Sequence, residues 1–368
     1  MRIGIDAYPL SVRGGGIRRY TENLLQGLSR VDGENEYLLC RARPGTKQRE
    51  FGSSFAWDDQ TLPMKRWIEQ AWLLGDARNV DLFHGTNYFA PQFDRHPTVV
   101  TVHDLTVHLF PENHPLKRRL RHRLLPALCR RSARIIADSM TTKADIVKHY
   151  RIPEDKIDVV YLAAGDEFQP IHEESVLDLV RKRYDLPKSF VLFVGTLEPR
   201  KNLPTLLSAM GQLARSGFKR PLVIAGSGET RYVAALKAMA RSHGLELEED
   251  VVFTGYVDDL DLPALYTLCD LFVYPSIYEG FGLPPLEAMA CGAPVLLSHN
   301  SSLSELYEKC SAFVNLADPD ALPAMVQRIL EDSHMRSRLL EQGLERAHAR
   351  TWDDVARETL DVYSRATP

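Results

Sequence analysis

A chain of 368 residues exceeds the usual span of one hydrophobic core, so two domains are expected, each large enough to bury its own. Its composition, 44% apolar and 26% charged, excludes a disordered or low-complexity protein, and a formal net charge of −4 argues against general nucleic-acid binding. Five scattered cysteines, Cys40, Cys129, Cys269, Cys291 and Cys310, form no CxxC pair and read as reduced packing thiols of a cytosolic protein.

The N-terminal MRIGIDAYPL enters a short apolar run with no hydrophobic segment of signal-peptide length. No stretch reaches the ~18 consecutive apolar residues of a membrane-spanning helix. The expectation is a cytoplasmic chain, or one peripheral on the cytoplasmic face of the inner membrane.

Short apolar runs, RIGIDA, EYLLC, VDLFHG, PTVVTVHD, ARIIADS and KIDVVYLA, alternate with amphipathic stretches along the first half. The rhythm restarts after residue 188 with SFVLFVGT, PLVIAG, DVVFTGY, DLFVYPS, APVLLS and SAFVNL. Such alternation predicts βαβ units, hence an α/β protein of two Rossmann-like, doubly wound parallel sheets. The expected division is residues 1–168, a polar linker at 169–187, and a second domain at 188–350. A closing helix within 351–368, opening on the cap-like Thr351, finishes the second domain or, the assignment taken here, crosses back onto the first.

Ligands of open α/β sheets bind outside the carboxyl ends of the strands, so residues at those ends carry the functional argument. Gly14, Gly15 and Gly16 follow the first strand and precede a helical pattern. Bare amides there suit an anion, and a flexible strand-to-helix turn explains them equally well. A dinucleotide fingerprint fails at this point, because Arg19 takes the third glycine position of GxGxxG. It fails again after Gly226-Ser227-Gly228, where Arg231 does, and both failures argue against a dehydrogenase. His103 and Asp104 end the run PTVVTV. Asp104 reads as a cap, and His103 either positions a substrate or is a structural histidine.

Arg200 and Lys201 follow the strand SFVLFVGT within GTLEPRKN, where two cations can neutralise a diphosphate without a metal. The segment YEGFGLPPLEAMACGAPV, residues 278–295, exits the strand DLFVYPS. It places Glu279 in a loop and Glu287 in the first turns of a helix that holds Pro285 early. Gly280 and Gly282 bare their amides for phosphate oxygens, and each carboxylate can accept hydrogen bonds from two adjacent sugar hydroxyls. For Glu287 the plainer alternative is a partner of the helix dipole. Asp259 with Asp261 and Asp318 with Asp320 read as turn and capping residues, so no metal is assigned. The basic, leucine-interleaved stretch 116–135 suits an anionic membrane surface or a solvated helix face.

From Phe253 to Val295 the chain resembles the carboxyl-terminal signature of glycosyltransferase family 4, retaining enzymes of the GT-B fold, including two glutamates separated by seven residues. The N-terminal GIDAYPLSVRGGGIRRYTENLL resembles that family's bacterial mannosyltransferase B-like branch. The pattern departs at Ser302 to Leu306, where SLSEL stands in place of SLPEV, and SELYEKCSAF lacks the common GDAA run. The resemblance implies two facing domains with a cleft, an acceptor in the first and a nucleotide-sugar donor in the second.

By the same resemblance Glu279 would hold donor-sugar hydroxyls and Glu287 the nucleotide ribose. Phe281, Gly282 and Leu283, with Gly280 and Ser276, would line the diphosphate and sugar, and Arg200 and Lys201 would stabilise the leaving diphosphate. Gly15 and Gly16 would approach donor phosphate and acceptor, His103 the reacting sugar carbon, and Gly255 and Tyr256 the nucleobase. The implied activity is metal-independent, cofactor-free, retaining transfer of a hexose. The implied donor is GDP-mannose in preference to a UDP-sugar, and the acceptor a glycolipid or oligosaccharide of surface-polysaccharide synthesis. A nucleotide-sugar epimerase of the same fold and a catalytically silent nucleotide-binding subunit are the alternatives.

Overall fold

A computed structural model describes residues 1–12, 14–40, 50–57, 80–90 and 96–367. They fall into two compact units, Met1–Ala163 with Thr351–Pro368, and Ala164–Arg350.

The first unit holds β1 (Arg2–Asp6), β2 (Glu36–Cys40), β3 (Phe55–Trp57), β4 (Leu82–Gly85), β5 (Thr98–Val102), β6 (Arg134–Ala137) and β7 (Ile157–Val159). All pairs are parallel, in the order β3-β2-β1-β4-β5-β6-β7. The second unit holds β8 (Val191–Val194), β9 (Leu222–Ala225), β10 (Val251–Gly255), β11 (Leu271–Tyr274), β12 (Val295–Ser298) and β13 (Ala312–Val314). These strands are also parallel, in the order β10-β9-β8-β11-β12-β13. Helices cover both faces of such sheets, so the inner strands β8, β9, β11 and β12 are buried at every residue, and this is why they read as continuous apolar runs.

The twelve expected strands form, and β3 is an addition. Only three residues long, it lies at the sheet edge, where Phe55 stacks on Tyr37 of β2 with ring centroids 4.5 Å apart. The expected linker at 169–187 is corrected. It carries the helix Glu174–Arg183, which buries Leu177 and Val180, and at its end Arg183 and Tyr184 each reach Asp261 at 2.7 Å. The buried Leu177 and Val180 and the bonds to Asp261 join this charged segment to the second unit. Asp261 stands at the N-cap position of the helix Leu262–Leu268, yet its carboxylate takes these two side chains rather than helix amides.

The helix Trp352–Ala366 belongs to the first unit. Its start is fixed by a capping box between Thr351 and Asp354. It packs on the helix Gly16–Val31, and Gly27 makes the approach possible, since a Cβ there would stand 2.5 Å from the Trp352 carbonyl oxygen.

Candidate active site

In the second sheet β8 and β11 are neighbours although β9 and β10 come between them in sequence, so the connections leaving them run to opposite sides. Their carboxyl ends form the topological switch point of a doubly wound sheet, the place where such sheets bind ligands. The exit of β8 carries a 3-10 turn, Pro199–Lys201, and the exit of β11 carries Ser276 to Gly282. The two loops are tied together, because the Ile277 amide donates to the Arg200 carbonyl at 2.9 Å, with the Ser276 hydroxyl oxygen 3.2 Å from the same carbonyl.

Within this pair of loops Arg200, Lys201 and Glu279 form a compact ionic cluster. Lys201 Nζ donates to Glu279 Oε1 at 2.6 Å and to the Tyr274 hydroxyl, and it lies 4.8 Å from the centre of the Tyr274 ring. Arg200 Nη1 reaches Glu279 Oε2 at 2.6 Å and the Tyr278 carbonyl at 2.8 Å, while its Nη2 meets Glu198 Oε1 at 2.6 Å. Ser276 donates its hydroxyl to Glu279 Oε1 as well. Lys201 and Glu279 are only 5% and 6% exposed. Burial alone would raise the Glu279 carboxyl, but Arg200 and Lys201 overcome it and hold the group down at about 2. Lys201 is held below the usual lysine value by burial and by Arg200 beside it, with Glu279 opposing. Burial pushes the Tyr274 hydroxyl up, so it stays protonated.

Polar residues farther along the chain brace this loop. The Glu279 amide donates to Ser301 Oγ at 3.0 Å, and Ser302 Oγ donates to the Glu279 carbonyl at 2.9 Å. The Ser276 carbonyl accepts from Asn300 Nδ2 at 2.8 Å and from the Ser298 hydroxyl. Residues 301–307 form a helix, so the segment that departs from the family pattern supports the very loop the pattern defines. Ser304, where that pattern has proline, uses its amide to donate to the Asn300 carbonyl at 3.3 Å, a bond proline cannot make.

Gly282 caps the helix Leu283–Ala290 in the left-handed region, φ +88°, and its carbonyl accepts from the Tyr307 hydroxyl at 2.9 Å. A Cβ on Gly282 would lie 2.8 Å from Leu303 Cδ2. Gly280 and Phe281 are buried in the same loop, and Leu283 opens the helix. Glu287, 1% exposed, sits inside that helix and accepts from the Tyr266 hydroxyl at 3.0 Å. Gly255 ends the edge strand β10, with Tyr256 next and partly exposed, so these two stand on a strand separate from the ionic cluster.

The first unit has its own switch point between β1 and β4. After β1, Gly15 caps the helix Gly16–Val31, and nothing lies within 4 Å of the place a side chain on it would occupy. His103, at the end of β5, is buried with its ring edge-on to Tyr20 and Tyr88. Its Nδ1 is 2.7 Å from Asp138 Oδ2 and its Nε2 is 2.9 Å from the Thr86 carbonyl. Both partners are acceptors, an arrangement that favours the doubly protonated ring. Burial works against that charge, but Asp138 outweighs burial and raises His103 above the usual histidine value. Both ring nitrogens are thus committed inside the unit. Asp104 accepts from the Thr106 amide at 2.9 Å, one residue before Leu105, which holds the N-cap position of the short helix Thr106–Leu109.

Several contributors were not foreseen. Glu198 and Tyr274 complete the ionic cluster, and Asp138 favours the protonated form of His103. Asp138 ends the apolar run ARIIADS, the same strand-end signal that singled out His103, and could have been found by it. Beneath His103, a buried chain links the Tyr363 hydroxyl, His84, Thr101 and the Tyr20 hydroxyl at 2.7, 2.8 and 2.9 Å. Burial and the neighbouring His103 hold His84 down at about 3, so it is neutral. All five cysteines are free and buried. Among the described residues no group of three or more His, Cys, Asp or Glu side chains is arranged to hold a metal ion, and no helix is long and apolar enough to cross a membrane.

Two Rossmann-like domains, with paired cations and a braced acidic loop at the switch point of the second, define the chain as a GT-B glycosyltransferase. Family models agree along most of its length: "Glycosyltransferase Family 4" matches residues 14–164 and "Glycosyl transferases group 1" matches residues 180–346. The chain is 32% identical over 297 residues to the O-antigen chain mannosyltransferase B of Escherichia coli, covering 80% of this chain and 76% of that protein. It belongs to glycosyltransferase family 4. Among solved structures, the sucrose-phosphate synthase of Thermosynechococcus elongatus superposes with a TM-score of 0.79 at 22% identity, over 99% of this chain and 98% of that one. Anabaena HepE in complex with UDP-glucose superposes with a TM-score of 0.74 at 20% identity, over 99% of each chain.

Proposed function

We propose that this protein is a retaining hexosyltransferase that moves mannose from GDP-mannose to a lipid-linked or surface-polysaccharide acceptor. The observation that carries the reading is the cluster of Arg200, Lys201 and Glu279 at the switch point of the second domain, beside the amides of Gly280 to Leu283. Mannose as the sugar and a surface polysaccharide as the product are supported by the similarity to an O-antigen mannosyltransferase. A nucleoside diphosphate sugar as the donor class is supported by the fold shared with a UDP-glucose complex.

In this reading the donor diphosphate binds at Arg200 and Lys201, whose charges replace those a metal would supply, and Glu287 holds the ribose. Binding draws the cations partly away from Glu279 and frees that carboxylate for sugar hydroxyls. The bond between the anomeric carbon and the phosphate oxygen breaks, and the acceptor oxygen bonds to the same face of the sugar. The acceptor's proton passes to the departing phosphate oxygen. Negative charge grows on the diphosphate as the bond breaks, so fixed cations and amides there lower the barrier. The resemblance to family 4 assigns Gly15, Gly16 and His103 of the first domain to the reacting groups and Gly255 with Tyr256 of the second to the base. The enzyme acts in the cytoplasm.

The test is incubation of the protein with GDP-[14C]mannose and a synthetic mannosylated lipid carrier, followed by determination of the anomeric configuration of the product. Transfer with the donor's configuration kept supports the proposal. Transfer from UDP-glucose alone, or an inverted linkage, overturns the donor or the stereochemistry respectively.

A further inference from the structure

The helices Leu116–His122 and Leu125–Arg131 form a nearly continuous helical run in the first domain, since Arg123 and Leu124 between them keep right-handed helical angles. One side of the run is core: His122, Leu125, Leu128 and Cys129 are buried, the last three within the main apolar cluster of the domain. On the other side Leu116, Leu120 and Leu124 are 65%, 50% and 59% exposed. Their spacing of four residues sets them in one ridge along the helix surface. Lys117, Arg119 and Arg123 are exposed between them, and no acidic residue occurs anywhere from Leu116 to Arg131.

Neither half of this pattern suits an ordinary solvated face. A solvated helix places charges of both signs on its outer side and keeps leucine inside. Here three leucines project outward, and the charges along the run are of one sign in a chain whose net charge is −4. Apolar side chains that project between cations match the boundary of an anionic bilayer, where acyl chains receive the leucines and lipid phosphates receive the ammonium and guanidinium groups.

We propose that this leucine ridge is a docking element for an anionic lipid surface, with Leu116, Leu120 and Leu124 entering the interface and Lys117, Arg119 and Arg123 pairing with headgroups. The surface belongs to the first domain alone and involves none of the residues assigned to donor chemistry. Docking would hold the enzyme on the surface where a lipid-linked acceptor resides.

The test is sedimentation of the full-length protein with vesicles of phosphatidylcholine alone or mixed with phosphatidylglycerol, at low and high salt, for the wild type and two triple variants. The wild type binds the mixed vesicles and not the neutral ones. L116S/L120S/L124S reduces the bound fraction at low salt by about tenfold, and Lys117→Glu, Arg119→Glu and Arg123→Glu together abolish binding. All six positions are exposed, so both variants fold and bind GDP-mannose as the wild type does. That control separates failure of this proposal from failure of the donor reading. Equal vesicle binding by wild type and leucine variant, or no vesicle binding by the wild type, overturns the proposal. Loss of a dimer in the leucine variant, measured by sedimentation velocity without lipid, would assign the ridge to self-association and overturn it too.

Discussion

Lys201 and Glu279, 78 residues apart in sequence, meet at 2.6 Å in the second domain. The contact joins the loop leaving β8 to the loop leaving β11, and Arg200 closes the other carboxylate oxygen at 2.6 Å. The cations and the carboxylate satisfy one another, which compensates their burial. On the proposed reading, a donor diphosphate would compete with Glu279 for both cations.

The first prediction concerns turnover. Lys201→Ala removes a cation from the site of developing negative charge and should lower kcat by roughly 10²–10³-fold, with a smaller effect on donor KM. Steady-state kinetics at saturating acceptor measure the two parameters separately.

Acid stability follows from Glu279. Its folded value of about 2 lies below its ordinary 4.5, so its contribution is present above about pH 4.5 and is lost as pH falls through the folded value. The contribution is on the order of 3 kcal/mol, part of it offset by the burial of Lys201. Urea titrations of wild type and Glu279→Gln between pH 6 and 3 should converge as the pH drops.

Glu287 separates binding from packing. Glu287→Ala should weaken nucleotide binding at least about tenfold, and it removes the hydrogen bond from the Tyr266 hydroxyl at a cost of ~1 kcal/mol. Tyr266→Phe removes the hydroxyl instead and should leave nucleotide affinity nearly unchanged. Calorimetry and thermal melts on both variants distinguish the two effects.

The His103–Asp138 pair predicts a pH dependence of opposite sign. His103 is raised in the folded state, so its stabilisation is fully present below about pH 6.5 and is lost as pH rises through the raised value. Asp138→Asn should remove that slope and lower stability most at the acid end. Melting temperatures from pH 5 to 9 test it, with Asp104, His84, Tyr20 and Tyr88 as the neighbours left in place.

The sheets were legible because buried parallel strands must be apolar along their whole length, and VLFV, LVIA and LFVY are. Arg200, Lys201 and Glu279 were legible because they interrupt such runs at their carboxyl ends. Tyr274 was not, because an aromatic residue closing an apolar strand reads as core; only its contact with Lys201 reveals its hydroxyl as part of the site. Ser301 and Ser302 were hidden by distance, since they support Glu279 from more than 20 residues away. The separation of 279 positions between His84 and Tyr363 concealed the buried polar chain in the same way. The helix within 169–187 escaped because charge outweighed its two buried apolar residues.

The most direct test of the account is calorimetric titration of wild type and Lys201→Ala with GDP-mannose, and with UDP and ADP sugars, in the presence and absence of magnesium. The account predicts binding of one nucleotide class, GDP-mannose, unaffected by magnesium and weakened in the variant. If wild type binds none of these sugars, or binds only with magnesium, the donor site proposed at Arg200, Lys201 and Glu279 is contradicted.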